Sequence, residues 1–190
     1  MNQGGLMSDS ALLFLGKIEV EYGQFYFDHP DDDESLFDGV VEEAFIDQKN
    51  GLCGAGIDGM VYFVAGLNNG AMSVCIEQHE QAPELDSSYD DIVEVSFTNQ
   101  IASLALCQWA HEATFPLNLP EGQYRLRYCV QGMDNEYGDE DDWSLPMPGQ
   151  RHLVQLWPAS PEADSIIRSN SKMGRYWHKN FGQKDASQEL

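Results

Sequence analysis

Short runs in which apolar and polar side chains alternate, closed by glycine, asparagine or proline, recur along this chain and restrict it to a β architecture. In Lys17 to Tyr22, Ile18, Val20 and Tyr22 fall on one face and Lys17, Glu19 and Glu21 on the other, as a half-buried strand requires. Gly23 shifts the parity, so that Phe25 and Phe27 carry the apolar face beyond it, which predicts a bulge or a bend. Between Met60 and Glu77, MVYFVAGL and AMSVCIE flank Asn68, Asn69 and Gly70, which accept the positive φ of tight turns, and predict a hairpin. Further strands are predicted over Ile92 to Phe97, Ile101 to Gln108, Tyr124 to Gln131 and His152 to Trp157. The pattern predicts a mainly β chain, an antiparallel β-sandwich or open barrel of about seven or eight strands.

Two segments break the alternation. Leu36, Phe37, Val40, Val41, Ala44 and Phe45 recur at helical spacing and predict one short internal helix over 35–46, with Ser35 as its cap. Ser160 and Pro161 are a start signal for a C-terminal helix within 161–180, on which Arg168, Lys172, Arg175 and Lys179 form a basic stripe. The chain divides on this reading into an acidic β-sandwich domain, 1–160, and a basic, aromatic helix or tail, 161–190. A chain of 190 residues buries roughly 70% of its unfolded surface and needs no disulfide or metal to fold. Cys53, Cys75, Cys107 and Cys129 form no C-x-x-C pair, which excludes a zinc ribbon, and three of them sit in predicted strands as small buried hydrophobes. The apolar run Ala11 to Leu15 is too short for a signal segment, so residence in the cytoplasm is expected.

Charge narrows the function. The chain carries 32 acidic and 10 basic residues, a formal net charge of −22. Residues 1–167 hold 30 acidic and 5 basic side chains, a net −25, and residues 168–190 hold 2 acidic and 5 basic, a net +3. Such a body repels nucleic acid and anionic membrane and steers cationic partners toward itself; solubility alone is the competing explanation. Two acidic patches fall between predicted elements and are expected on surface loops. One is Asp31, Asp32, Asp33 and Glu34; the other is Glu136, Tyr137, Asp139, Glu140, Asp141 and Asp142, followed by Trp143. Calcium is an alternative occupant of the second, although Gly138 stands at the fifth loop position and the distal glutamate of an EF-hand is missing. In the tail, Arg168, Lys172, Arg175, Tyr176, Trp177 and Lys179 either lie back on the acidic body or meet an acidic or nucleic-acid partner.

Catalytic patterns are scarce. His29, His79, His111, His152 and His178 show neither H-E-x-x-H nor a helical ligand spacing and are read as unclustered. His111 and Glu112 could serve acid–base chemistry, but adjacent residues on a strand point to opposite faces and would not share one site. No G-x-S-x-G elbow occurs, and the glycine-rich Asn50 to Gly59 lacks the Walker lysine, so it marks tight turns and close backbone approach. No catalytic residue, metal or cofactor is assigned.

The order of IEVEYGQFYF, VVEEAFIDQKNGLCGAGIDGMVYFVAG and FPLNLPEGQYRLRYCVQGMD, spanning Ile18 to Asp134, resembles the competence nuclease inhibitor family of small bacterial β-sandwich proteins. It is also similar to the acidic immunity proteins of toxin systems. The resemblance implies a bacterial, intracellular protein that binds and silences a nuclease or toxin and has no active site of its own. The expected function is therefore a non-enzymatic acidic inhibitor of a cationic protein. Its acidic patches would mimic a nucleic-acid backbone, with Tyr137 and Trp143 as buried anchors. An interaction module working through the tail, and a calcium-dependent binding domain, are the alternatives.

Overall fold

Tyr22 and Gly23 both take positive φ, 54° and 73°, in a two-residue turn closed by the Glu21–Gln24 bridge. The bend expected at Gly23 is thus a crossing between sheets: it carries the chain from β1 (Ser10–Val20) into β2 (Gln24–Asp28) of a second sheet. The computed structural model describes residues 10–135 and 150–182. The remaining strands are β3 (Cys53–Gly54), β4 (Val61–Val64), β5 (Gly70–His79), β6 (Asp91–Asn99), β7 (Ala105–Cys107), β8 (Thr114–Pro116), β9 (Gly122–Gln131), β10 (Arg151–Pro158) and β11 (Ser165–Ser169). One sheet runs β1-β5-β10-β9-β6-β11 and the other β3-β4-β2-β7-β8; all pairs are antiparallel except β5 with β10. This is the expected β-sandwich with a C-terminal helix, and among the described residues no barrel closes. No described helix is long and apolar enough to cross a membrane.

The predicted Met60–Glu77 hairpin is corrected by this topology. β4 and β5 are real strands, but the Asn68–Gly70 turn carries the chain across the sandwich, β4 pairing with β2 and β3 while β5 pairs with β1 and β10. Fully apolar β4 is buried on both faces, so it belongs under a covering layer and not beside a half-exposed partner. The strand predicted over Ile101 to Gln108 shrinks to β7, because the Asn99 side chain accepts the Ile101 amide at 3.2 Å and turns the chain first.

Between the sheets, Phe25 and Phe63 stack at 4.7 Å and Tyr128 meets Phe63 at 5.1 Å. The Tyr128 hydroxyl donates to the Val64 carbonyl at 3.0 Å, tying one sheet to the other. Tyr26 and Tyr62, the alternate residues of β2 and β4, face the opposite side and are covered by the segment that follows β2. That segment is not the predicted helix over 35–46. Only α1 (Val41–Ala44) is helical, because Gly39 takes φ 94° and the Asp38 carboxylate accepts the Val40 amide at 3.0 Å, breaking the turn. Ser35 is not the cap of α1; its hydroxyl donates to Asp28.

The helix predicted within 161–180 is likewise divided. Ser165–Ser169 extends the larger sheet as β11 on β6, and only α2 (Lys172–Asn180) is helical, with the Ser171 hydroxyl accepting the Gly174 amide at 2.7 Å as its cap. The Asn50–Gly59 run supplies the close approach its glycines implied: a Cβ at Gly51 would stand 2.0 Å from the Trp177 carbonyl oxygen, and one at Gly54 2.6 Å from that of Ala44.

Candidate functional site

Asp28 ends β2 fully buried, and its carboxylate accepts the His29 amide at 2.7 Å, the Leu36 amide at 3.0 Å and the Ser35 hydroxyl at 2.6 Å. These bonds close residues 28–36 into a fixed loop. At its tip, Asp32–Glu34 form one 3-10 turn, capped by Asp31, whose carboxylate accepts the Asp33 amide at 3.2 Å. Asp31, Asp32, Asp33 and Glu34 are all exposed, as their sequence position required.

Two histidines steady this turn, although the sequence showed no histidine cluster. His29 Nδ1 accepts the Asp31 amide, which leaves the ring hydrogen on Nε2, 2.8 Å from Glu34 Oε2. His111 donates from Nε2 to the His29 carbonyl at 2.9 Å and sets Nδ1 3.0 Å from Asp32 Oδ1. It reaches there because Trp109–His111 is a 3-10 turn and not a strand, with Ala110 and His111 at φ 49° and 52°. Left-handed backbone at two non-glycine residues costs about 1–2 kcal/mol each, offset by these contacts.

Beyond the turn, residues 35–47 form a flap over the smaller sheet. Phe37 meets Tyr26 at 5.1 Å and Tyr62 at 5.6 Å, and Phe45 meets Tyr62 at 5.7 Å. Leu36, Val40 and Ile46 stay 41%, 42% and 48% exposed, where the helical reading had turned Leu36 and Val40 toward the core. Asp38, Glu42, Glu43 and Asp47 are exposed beside them. Residues 31–47 thus present eight carboxylates and no basic side chain. Elsewhere, Arg125 and Arg127 are buried and fork onto Glu94, at 3.3 and 2.8 Å, so neither offsets the acidic surface.

The second predicted patch, Glu136, Tyr137, Asp139, Glu140, Asp141, Asp142 and Trp143, lies outside the described residues. In the tail the predicted residues separate. Trp177 turns inward and stacks on Phe181 at 4.9 Å, and Phe181 on Phe45 at 5.0 Å, while Lys172, Arg175, Tyr176 and Lys179 face outward. Arg168 is not on their helical face: it lies on β11 and donates to the Asp86 and Tyr89 carbonyls. The tail therefore packs on the body by aromatic contact. Asp134 accepts the Lys172 and Met173 amides at 2.7 and 2.9 Å, but among the described residues no carboxylate forms a close ion pair with Lys172, Arg175 or Lys179, and no group of three or more His, Cys, Asp or Glu has the geometry to hold a metal ion.

No protein-family model matches the sequence, and no curated protein matches it. Two solved structures share its fold. One is ComJ from Bacillus subtilis, an inhibitor of the DNA-degrading activity of NucA, at a TM-score of 0.53 and 16% identity over 79% of this chain and 98% of that one. The other is the product of crocagin biosynthetic gene J, at a TM-score of 0.51 and 14% identity over 80% of this chain and 99% of that one. The chain accordingly shares its fold with ComJ, a nuclease inhibitor, in keeping with the sequence resemblance.

Proposed function

We propose that this chain is a non-enzymatic inhibitor, acting in the cytoplasm, that captures a cationic nuclease or toxin domain on its acidic face. The observation that carries the reading is the rigid, exposed strip of eight carboxylates at 31–47, on a fold shared with an inhibitor of a DNA-degrading enzyme. A nuclease groove is lined with cations to hold phosphate, and a fixed row of carboxylates offers those cations a competing anion. Long-range attraction sets the encounter rate, while apolar contacts at the centre of the interface set residence time.

A second reading has its own observation. The outer face of α2 exposes Lys172, Arg175 and Lys179, of which Lys172 and Arg175 have Asp134 nearby but none forms a close ion pair among the described residues, which suits an anionic ligand. Affinity capture with the full chain from native lysate at low salt, followed by release at high salt, separates the two. A released basic protein that degrades DNA, and stops when the chain is added back, supports the inhibitor; capture of nucleic acid or an acidic protein through α2 contradicts it.

A further inference from the structure

We infer that the outward surface of the flap, centred on Leu36, Val40 and Ile46, is where a basic protein docks; the inference rests on the inhibitor reading and locates its contact.

The flap separates its side chains by role. Phe37 and Phe45 both rest on Tyr62, so the two ends of the segment are brought over one ring of the smaller sheet. Leu36 and Ile46 are the sequence neighbours of those two anchored rings, and Val40 lies on the arch between them. Three large apolar side chains, 41–48% exposed, thus crowd a segment of eleven residues and leave apolar surface that folding does not cover, as a surface that a second protein covers would.

The support beneath is rigid. The buried Asp28 carboxylate fixes the Leu36 amide, and the Ala44 carbonyl accepts the Gly56 amide at 2.8 Å. A Cβ at Gly56 would stand 2.5 Å from the Glu43 carbonyl oxygen, so α1 is seated directly on the backbone before β4. A surface held in this way loses little conformational freedom when a partner arrives.

Charge selects the occupant. Asp31, Asp33, Asp38, Glu42, Glu43 and Asp47, all exposed, flank and alternate with the apolar residues along the same segment, a mixture of apolar and charged side chains that suits a protein interface. Nucleic acid is repelled by such charges, and so is a second copy of a chain that carries −22. A basic protein surface bearing an apolar notch satisfies both the charged and the apolar side chains.

The test needs no nuclease and so fails or succeeds separately from the inhibitor reading. A library of random twelve-residue peptides is panned against the full chain, and the selected peptides are mapped on it by hydrogen exchange. Peptides joining Lys or Arg to large apolar residues, protecting amides of 36–47 and binding about ten-fold or more weakly to the L36S/V40S/I46S variant, are the expected result. Because the three side chains are exposed, that variant should fold; D38N/E42Q/D47N, which removes only charge, should slow association without that loss. Footprints on α2 or on the β1 edge, unchanged binding to L36S/V40S/I46S, failure to enrich any peptide, or tighter binding of duplex DNA than of the peptides would each overturn the inference.

Discussion

Phe45 and Phe181 stack at 5.0 Å with their rings 15° apart, and this contact joins the flap and the C-terminal helix into one layer over the smaller sheet. Phe45 is buried and Phe181 partly so. Phe181→Ala should therefore lower stability by about 2–3 kcal/mol, and salt should not alter the loss, because apolar packing is unscreened. Denaturant unfolding at low and high ionic strength checks this; a loss that vanishes at high salt would mean that α2 is held by charge.

A related expectation concerns the backbone contact beside that stack. Gly51→Ala places a methyl group 2.0 Å from the Trp177 carbonyl oxygen, so α2 must shift. A cost of about 1–3 kcal/mol and a red shift of tryptophan emission should accompany the displacement. Unchanged emission and stability would show that α2 seats elsewhere.

Much of this layering escaped the sequence for identifiable reasons. Alternation placed β6, β9, β10 and the second half of β1 because each has one face on the core and a periodicity of two is local information, whereas Ser10–Gly16 of β1 was missed and Tyr22, expected on the apolar face, is exposed in the turn. Sheet membership is not local, so the turn at Asn68–Gly70 read as a hairpin when it crosses between sheets. Leu36 and Val40 fit a helical stripe, but Asp38 and Gly39 break the helix and leave both exposed. The acidic turn at 31–34 was legible from composition alone. His29 and His111 were not, because only the fold brings positions so distant in sequence to one loop. Asp38 and Gly39 were the available signal for the flap.

Asp28 and Asp32 should respond very differently to mutation. Asp28 is buried and accepts three hydrogen bonds, so Asp28→Ala should cost about 3 kcal/mol or more by leaving buried donors unpaired. Asp32, whose side chain is 72% exposed, faces His111 at the surface, and Asp32→Asn should cost less than about 1 kcal/mol while speeding amide exchange at 32–35. Equal costs in thermal unfolding would contradict the assignment of Asp28 as the anchor of the turn.

Acid should reveal the buried imidazole. His152 lies in the core with Nδ1 2.8 Å from the Tyr128 hydroxyl, and burial pushes its pKa down to about 3 from the usual 6.5. The unfolded chain takes up a proton below pH 6.5 and the folded one does not, so the stabilisation is complete above 6.5 and is lost as pH falls toward 3. The slope approaches about 1.4 kcal/mol per pH unit. Melting curves between pH 7.5 and 4 should show a shallower decline for His152→Leu than for the parent chain; parallel declines would contradict a neutral buried ring.

The thiols should also separate. Cys53, Cys107 and Cys129 are free and buried, whereas Cys75 is only half-buried, its thiol pushed up to about 11 by burial and by neighbouring Glu77. An alkylating agent should modify Cys75 alone, and slowly, in the folded protein, leaving the others until unfolding. Mass spectrometry of the labelled peptides decides it, and prompt modification of Cys107 or Cys129 would contradict the packing of β7 and β9.

The most direct measurement is the rate of DNA degradation by the basic protein captured from native lysate, followed as this chain is titrated in. The account predicts that one equivalent silences the enzyme. It also predicts that D31N/D32N/D33N/E34Q slows the onset of inhibition most at low ionic strength, where steering is strongest. Degradation that continues unchanged at saturating concentrations of the chain would contradict the inhibitor assignment.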